Sequence, residues 1–294
     1  MKSSVLTATL LVAALTATAA DAQRQRPGPP AAPAKAAGPA APTARDWRTP
    51  DPNDVLVIDT NKGRIIVEMV PEVAPETTAR IRELAQEHFY DGQTFFRVIE
   101  GFMAQTGDPQ NTGLGGSSKP DIKGELIFRR DAETPWTLVA DQVTLEHGII
   151  KSMPVASQSM SLAPMTSDGK VQAWGLFCAG TAGMARADDP NSGNSQFYLM
   201  RDAYPRLEKR YAAWGRVISG EDVVKQIKVG EPVAEPQDKM ERLRLLSDMP
   251  EKDRPKIRLI DPKGAWFKAE IARVKAEKGS LFSACDVNIP VEVK

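Results

Sequence analysis

Histidine and cysteine are both scarce in this sequence. Its 294 residues include two histidines, His88 and His147, and two cysteines, Cys178 and Cys285. This supply is too small for a structural zinc site built from cysteine and histidine. No Gly-x-Ser-x-Gly elbow occurs, and neither histidine has an acid or a nucleophile at motif spacing, so a hydrolase is disfavoured. We expect neither a metal nor a cofactor.

The sequence also lacks an excess of charge of either sign. Lys plus Arg and Asp plus Glu both number 38. A balanced chain has no global field that would draw it to nucleic acid or to an anionic membrane, so we expect neither as a partner. Its length is ample for a buried core in one or two domains.

A short apolar run near the N-terminus is typical of an export signal. Lys2 precedes an apolar stretch at 5–20, and Ala20-Asp21-Ala22 places small residues where a signal peptidase reads them. The stretch is too short and too rich in Ala and Thr for a membrane span, although a retained anchor is the alternative. We interpret residues 1–22 as a cleaved signal peptide. The protein is then expected to be periplasmic or secreted, without stable membrane insertion.

Residues 23–51 are predicted to form a linker. Most of residues 27–43 are Pro or Ala without apolar periodicity, so this segment cannot bury a core. Beyond the linker, Val55–Asp59 and Arg64–Met69 are β-branched runs separated by turn residues. This pattern predicts a β-hairpin.

A helix is predicted to begin at Pro75, because proline suits the first turn and Glu76 lies beside the positive end of the helix dipole. Apolar spacing from Ile81 to His88 predicts its buried face. The later pattern predicts a strand at 214–218, a helix at 220–227 and a closing strand at 239–246. Many short strands with two helices favour a mainly β protein built on a closed antiparallel barrel with capping helices.

The most distinctive stretch is Phe95–Pro109, with the sequence FFRVIEGFMAQTGDP. Arg97 lies among bulky apolar residues of an extended segment, and Gln105 shares a side with Met103 after a bend at Gly101. A charge in such surroundings is costly to bury unpaired. We therefore expect Arg97 to face a groove.

Further stretches at 111–116, 183–187, 194–200 and 207–217 complete a longer pattern. Together with the Phe95–Pro109 stretch they resemble the cyclophilin family of peptidyl-prolyl cis-trans isomerases. The resemblance extends over about residues 52–247. It implies a closed eight-stranded antiparallel barrel with one helix over each end.

Two regions lie outside this resemblance. The first is an insertion at about 134–174, whose methionines and Ser167-Asp168-Gly169 favour a surface loop. The alternative is an extra lip on the substrate groove. The second is a C-terminal extension at 248–294, with a predicted helix at 268–278 and an apolar run at 287–293. No chemistry is predicted for it.

The implied reaction sets clear physical requirements. Rotation about a peptide bond faces a barrier of about 18–20 kcal/mol, because resonance gives the C–N bond double-bond character. A catalyst must favour the twisted bond, in which the prolyl nitrogen regains its lone pair. An apolar pocket disfavours the more polar planar amide, and a fixed cationic donor stabilises the lone pair. Arginine suits this task better than lysine, because its planar fork is preorganised.

The resemblance assigns the donor role to Arg97. It implies a proline-ring pocket formed by Phe102, Met103, Tyr198, Leu207 and Tyr211. It implies a groove gripping the substrate backbone formed by Gln105, Ala185, Arg186, Ala187 and Gln196. Taken singly, an apolar residue such as Phe102 or Leu207 is more typical of an ordinary core.

Five residues depart from the family pattern. Arg206 stands where many members have Trp, so cyclosporin is expected to bind weakly. Phe96 stands where many members have His, outside the central site. Tyr198 replaces a commoner Phe and is expected to place a hydroxyl at the pocket rim. Arg186 replaces an Asn that acts largely through its backbone, and Tyr211 replaces the His of eukaryotic members. We expect isomerase activity to tolerate all five.

The favoured hypothesis is a monomeric peptidyl-prolyl cis-trans isomerase that acts on proline-containing polypeptides and assists the folding of exported proteins. The alternative is a chaperone or scaffold module that holds proline-containing segments with little turnover. The intact set of Arg97, Phe102, Met103 and Gln105 favours the enzyme.

The two cysteines leave two further alternatives open. In an oxidising compartment Cys178 and Cys285 could form a disulfide, or both could stay buried thiols. The sequence does not place their Cα atoms within bonding reach, so it does not decide between these states.

Overall fold

The structure is a computed structural model that describes residues 38–142 and 144–294. The predicted signal peptide at 1–22 and the first part of the predicted linker, 23–37, lie outside the described residues. The described part of the chain is mainly β, as the sequence predicts.

Sixteen strands and three α-helices occur in the described part of the chain. The strands are β1 (Trp47–Arg48), β2 (Val55–Thr60), β3 (Gly63–Met69), β4 (Arg97–Ile99), β5 (Met103–Thr106), β6 (Phe128–Arg130), β7 (Thr137–Gln142), β8 (Leu145–Ile150), β9 (Met153–Gln158), β10 (Val171–Gly175), β11 (Thr181–Met184), β12 (Phe197–Met200), β13 (Ala213–Ser219), β14 (Met240–Leu245), β15 (Ile257–Ile260) and β16 (Val291–Val293). The helices are α1 (Pro75–Gln86), α2 (Glu221–Gln226) and α3 (Ala265–Lys278). Within these residues no helix has the length and apolar character to cross a membrane.

The main sheet has eight strands in the order β14-β2-β3-β13-β11-β12-β5-β4, with antiparallel neighbours throughout. The predicted hairpin is confirmed, since β2 and β3 pair from Val55 opposite Glu68 to Thr60 opposite Gly63. Gly63 has a φ of 135°, which residues with a side chain rarely adopt. The hairpin turn therefore requires this glycine.

The expected closed barrel is wrong, because the eight-stranded sheet is curled but open. Its edge strands β4 and β14 do not pair as strands. Isolated bridges to the segment before β14 cross the gap, Thr94 with Lys239 and Val98 of β4 with Gly230. β4 has only three residues, and the facing segment contains Pro232 and Pro236, which have no N–H to donate to a ladder. Irregular backbone therefore fills the seam.

Helix α1 covers the main core, as predicted from Pro75. Ile81, Leu84 and Ala85 are buried against it, but the helix ends at Gln86, and His88 is exposed with a φ of 58°. The predicted buried face therefore stops one turn early. The first turn lacks a side-chain cap of its own. A distant carboxylate, that of Glu125, accepts from the backbone N–H groups of Glu76 and Thr77 at 2.8 and 2.7 Å.

The insertion is a folded sheet, so the predicted surface loop is wrong. Its strands β7 to β10, together with β6 just before the insertion, form a second antiparallel sheet in the order β6-β10-β9-β8-β7. β9 lies in the middle of the sheet, and its first five residues are buried. Pairing on both edges of β9 overrides the weak strand propensity of a segment that begins with Met153-Pro154.

The C-terminal extension folds with the insertion. β15 lies between β1 and β16 in a third sheet, so residues 47–48 within the predicted linker join this sheet. Phe267 and Ile271 of α3 belong to one apolar cluster with Ile149 and Trp174 of the insertion. The two regions outside the family resemblance thus share a core.

A disulfide crosses this shared core. Cys178, just after β10, bonds to Cys285 in the extension, with their Cα atoms 5.3 Å apart. The bond joins residues 107 positions apart in sequence. Of the two states that the sequence left open, the structure has the disulfide.

Removing this disulfide is expected to destabilise the protein without stopping catalysis. Cross-links that close long loops restrict the unfolded chain, and their loss typically costs about 2–4 kcal/mol. Cys178→Ala/Cys285→Ala should lower the free energy of unfolding in urea by that amount. Isomerase activity at 25 °C should stay within about twofold of wild type, because neither cysteine lines the groove described below. Equal stability of the two proteins would contradict this expectation.

Candidate active site

One row of side chains crosses the main sheet and organises the site. In the strand register Arg97 lies opposite Gln105, Gln105 opposite Tyr198, and Tyr198 opposite Gly183. Directly opposed residues of antiparallel strands project from the same face of a sheet. The row therefore places a cation, an amide and an aromatic ring side by side, followed by the space left by the missing side chain of Gly183.

A groove with a volume of about 710 Å³ lies over this row. Nine of the predicted site residues line it: Arg97, Phe102, Met103, Gln105, Ala185, Arg186, Tyr198, Leu207 and Tyr211. A second groove of about 430 Å³ is lined by the two others, Ala187 and Gln196, and shares Gln105, Ala185 and Arg186 with the first. All eleven predicted positions are thus brought together.

The apolar wall of the first groove is built from aromatic contacts. Phe102 packs on Tyr204, with ring centroids 4.6 Å apart, and Tyr198 meets Tyr211 edge to face at 6.0 Å. Leu207 lies in a short 3-10 turn between Tyr204 and Tyr211 in sequence, and it is buried. Such packing gives the wall a fixed shape before any ligand binds.

The Tyr198 hydroxyl is buried and does not reach the pocket rim, contrary to expectation. Tyr198 is 4% exposed, and its hydroxyl has no hydrogen-bond partner among the described residues. A Cβ atom on Gly183 would come within 2.6 Å of that hydroxyl. Glycine at 183 thus gives the ring room to turn inward. Burial raises the pKa of Tyr198 well above its ordinary value, so the phenol stays neutral.

Arg97 lies on edge strand β4 and is held by two acceptors. Its Nε donates to the Glu231 carboxylate at 2.6 Å, and its Nη1 donates to the Gln105 side-chain oxygen at 3.2 Å. Nη2 has no hydrogen-bond partner within residues 38–142 and 144–294. As expected from the sequence, the guanidinium faces a groove, with 37% of the side chain exposed.

A chain of amide hydrogen bonds continues from Arg97 across the site. The Gln105 amide nitrogen donates to the Gln196 side-chain oxygen at 2.8 Å. The Gln196 nitrogen donates to the backbone carbonyls of Gly113 and Gly115 at 3.1 and 2.7 Å. These carbonyls can only accept, so they fix both amide orientations. The Gln105 oxygen is consequently directed at Arg97.

The glycine-rich loop that receives this chain is anchored by Asp108. One carboxylate oxygen accepts from Gln110 N–H at 2.8 Å, and the other accepts from the N–H groups of Thr112, Gly113 and Gly115 at 2.9, 2.7 and 3.2 Å. Burial by itself would raise the pKa of Asp108. The four backbone donors outweigh burial, and the pKa is lowered below its ordinary value.

Arg186 contributes its side chain as well as its backbone, which was not predicted. Its Nε and Nη2 donate to the Arg210 carbonyl at 3.0 and 2.9 Å, and its guanidinium lies 4.6 Å from the centroid of the Tyr211 ring. A cation stacked on an aromatic face is attracted to it. Arg186 therefore holds Tyr211 in the pocket wall.

The insertion supports the pocket from behind and does not form a lip. Within the described residues, no member of 134–174 lines either groove. Trp174 instead donates its Nε1 to Glu208 at 3.2 Å, and the Lys209 ammonium lies 3.6 Å from the centroid of its ring. These two partners directly follow Leu207 of the pocket. Burial raises the pKa of Glu208, while the Trp174 N–H partly opposes that shift.

Six residues that line the first groove were not predicted as part of the site: Asn111, Thr112 and Gly113 of the glycine-rich stretch, and Phe96, Glu231 and Pro232. Phe96 was expected to lie outside the site, and its adjacency to Arg97 is a local signal for its place in the groove. Glu231 is 134 positions from Arg97. No local pattern connects two residues so far apart in sequence.

The fold and the groove together define a class of protein. A curled β-sheet presents one fixed arginine beside an apolar pocket, with a polar channel alongside, which are the features that X-Pro isomerisation needs. The family model "Cyclophilin type peptidyl-prolyl cis-trans isomerase/CLD" matches residues 55–247. The chain belongs to the cyclophilin family, as the sequence resemblance predicted.

Individual relatives agree with this membership. The crystal structure of cyclophilin AquaCyp293 from Hirschia baltica matches 84% of this chain and 93% of its own, with a TM-score of 0.77 and 35% identity. A probable peptidyl-prolyl cis-trans isomerase of Brucella suis is 32% identical over 191 residues, 61% of this chain and 74% of that protein. Peptidyl-prolyl cis-trans isomerase B of Bacillus subtilis is 30% identical over 180 residues, 61% of this chain and 92% of that protein. The protein is a peptidyl-prolyl cis-trans isomerase.

Asp108→Asn is expected to loosen the loop that borders both grooves. The amide keeps one acceptor oxygen where the carboxylate offers two, and hydrogen bonds to a charged group are worth about 1.5–3 kcal/mol each. The free energy of unfolding at pH 7 should fall by about 2–3 kcal/mol. Because the folded-state pKa of Asp108 is lowered, its contribution exists above the ordinary pKa and is lost as the pH falls through the folded value.

Urea unfolding of wild type and Asp108→Asn at pH 7 and pH 3 measures this effect. The stability difference between the two proteins should shrink at pH 3, because this pH lies below the ordinary pKa of an aspartate and the unfolded state is then protonated. A difference of the same size at both pH values would show that the carboxylate charge has no part in holding the loop.

Proposed function

We propose that Arg97 is the catalytic donor of this isomerase. The observation that carries the proposal is the geometry of its guanidinium, which two acceptors hold at the edge of an apolar pocket. Nη2 is left without a partner in the described part of the chain. A peptide whose proline ring fills the pocket would present its prolyl nitrogen to this free edge.

Stabilisation by Arg97 is specific to the twisted state. The nitrogen of a planar amide has no available lone pair, because resonance delocalises it into the carbonyl group. As the bond twists, the nitrogen pyramidalises and becomes a hydrogen-bond acceptor. A donor already fixed beside it lowers the barrier without strengthening ground-state binding.

The pocket and the second groove divide the work of holding the peptide. Phe102, Met103, Tyr198, Leu207 and Tyr211 form the wall against which a pyrrolidine ring would pack. Gln105, Ala185, Arg186, Ala187 and Gln196 border the continuous channel beside it. One side of the X-Pro bond is then anchored while the other turns. Proline-containing polypeptides are the proposed substrates.

Arg97→Ala should lower kcat/KM by about 10² to 10³, the usual cost of removing one preorganised donor. Ground-state binding of the peptide should change little, because the lost bond forms in the transition state. Arg97→Lys should recover little activity, since a point charge on a flexible stem does not reproduce the planar fork. A protease-coupled assay with a proline tetrapeptide measures the rates, and calorimetry measures the binding.

Phe102→Ala is the matched control for Arg97→Ala. It empties part of the ring pocket, so it should weaken peptide binding as well as rate. A folded Arg97→Ala protein that keeps most of its activity would refute the role of this arginine. If the wild-type chain bound proline peptides without accelerating their isomerisation, the alternative hypothesis of a binding module would replace the enzyme.

We also propose that the enzyme is exported and assists the folding of proteins in the periplasm or outside the cell. The leader-like pattern at 1–22 and the Cys178–Cys285 disulfide support this proposal, because disulfides persist in oxidising compartments. We propose further that it acts as a monomer, since both grooves are lined by residues of one chain.

Export predicts cleavage after Ala22, at the Ala-x-Ala pattern. Intact-mass spectrometry of the protein recovered from the periplasm or the medium of a bacterial culture should give a mature chain that begins at Gln23. Ala22→Arg should block processing, because the peptidase accepts small residues at that position. An exported protein that still begins at Met1 would contradict the prediction.

A further inference from the structure

Glu231 makes a direct contact with Arg97 that the sequence did not predict. Its carboxylate oxygen lies 2.6 Å from Arg97 Nε, while the neighbouring Pro232 lines the same groove. The two side chains are 37% and 55% exposed. Exposed ion pairs contribute little to stability, so a stabilising role does not account for this contact. Its place beside the reacting centre points to a part in the reaction.

The backbone fixes where the Glu231 side chain begins. Val98 and Gly230 exchange two hydrogen bonds of 2.8 Å, and Val233 N–H donates to Phe96 carbonyl at 2.8 Å. Two residues, 231 and 232, therefore oppose the single residue Arg97 along the edge of β4. An extra residue of this kind in a β pairing re-aims side chains, and such bulges are common beside active sites.

The segment that carries Glu231 is braced on its other side as well. Lys228 Nζ donates to the carbonyls of Ala234 and Pro236 at 2.7 and 3.2 Å. The Asp238 carboxylate accepts from Lys228 N–H at 2.8 Å. These bonds tie the two ends of the 228–238 segment together across the seam of the open sheet. Glu231 thus projects from a fixed backbone.

Two acceptors are needed to fix the plane of a guanidinium on a long side chain. The Gln105 oxygen holds Nη1, and a single bond to one nitrogen leaves the group free to swing about it. The Glu231 oxygen holds Nε, which fixes the second point. With both hydrogen bonds made, the plane of the guanidinium is fixed and Nη2 points in one direction. The Glu231 carboxylate also balances the Arg97 charge at the pocket mouth.

We propose that Glu231 is a positioning residue for the Arg97 guanidinium and that its charge sets the preference of the groove for residues next to the proline. The inference rests on the proposed catalytic role of Arg97. Without Glu231 the donor loses its orientation, and the pocket mouth gains a net positive charge. Turnover should fall, and selectivity should shift toward acidic peptides.

The chain supplies a matched control in Glu235. It precedes Pro236 as Glu231 precedes Pro232, and it belongs to the same segment. Its carboxylate accepts from Gln237 N–H at 3.2 Å and makes no contact with Arg97. Glu235→Ala and Glu235→Gln therefore repeat the chemical change in the same loop, away from the donor.

The test compares these variants in a protease-coupled assay on tetrapeptides that have Glu, Ala or Lys before proline. Glu231→Ala should lower kcat for the Ala peptide about tenfold with little change in KM, a loss smaller than that of a whole preorganised donor. Glu231→Gln should recover most of that rate, because its amide oxygen still accepts from Nε. In both Glu231 variants, the kcat/KM for the Glu peptide divided by that for the Lys peptide should rise about three- to tenfold at low salt. The rise should be smaller at about 1 M salt, because salt screens the charges. The Glu235 variants should match wild type in rate and ratio.

The Arg97 Nε–Hε resonance gives a readout that does not depend on activity. In a proton–nitrogen correlation spectrum this signal, assigned with Arg97→Lys, should be protected from exchange in wild type and should move and weaken in Glu231→Ala. If Glu231→Ala does not fold, the charge selectivity and the resonance of Glu231→Gln decide the question.

The outcomes separate this inference from the proposal on which it rests. Loss of activity in Arg97→Ala, together with wild-type rate, selectivity and resonance in the Glu231 variants, would overturn the role of Glu231 alone. Faster turnover in Glu231→Ala would also overturn it, because Glu231 would then restrain the donor. Full activity of Arg97→Ala would refute both proposals.

Discussion

The site depends on the register of one strand, β5, between its two neighbours. Gln105 of β5 lies opposite Arg97 on one side and Tyr198 on the other. A slip of β5 by one residue would send Gln105 to the face opposite Arg97 and Tyr198, because neighbouring residues on a strand point to opposite faces. The backbone hydrogen bonds of the sheet therefore position the guanidinium of Arg97, the amide of Gln105 and the ring of Tyr198. The side-chain hydrogen bonds refine an arrangement that the sheet already imposes.

The open edge of the sheet lets a charged donor lie here with a small desolvation cost. β4 is an edge strand, so Arg97 keeps contact with solvent and avoids the large desolvation cost of a buried charge. A fully closed barrel would pair that edge with another strand. Here residues 230–233 cover it with irregular backbone and present the Glu231 carboxylate to the same guanidinium. The irregular segment 230–233 thus accounts both for the open sheet and for the second acceptor beside Arg97.

Short sequence patterns predicted the elements that depend on interactions between residues close in sequence. The β2–β3 hairpin and α1 follow from turn chemistry and apolar spacing, and the family motif identified all eleven residues that the structure brings together. The sheet in the insertion was missed, because β9 is stabilised by partners on both edges more than by its own composition. The inward turn of Tyr198 depends on the missing side chain of Gly183, and the disulfide depends on Cα positions in two separate regions. Neither relation has a signature within a short stretch of sequence.

The insertion and the extension act on the pocket through a chain of contacts. Ile149 and Trp174 of the insertion share a core with Phe267 of α3, and the disulfide joins the two regions. From that core the Trp174 indole reaches Glu208 and Lys209, which adjoin Leu207. The turn that carries part of the pocket wall is consequently braced by structure outside the family resemblance. A loosening of this core would act on the wall, while the Arg97 donor, fixed by β5 and Glu231, would keep its geometry.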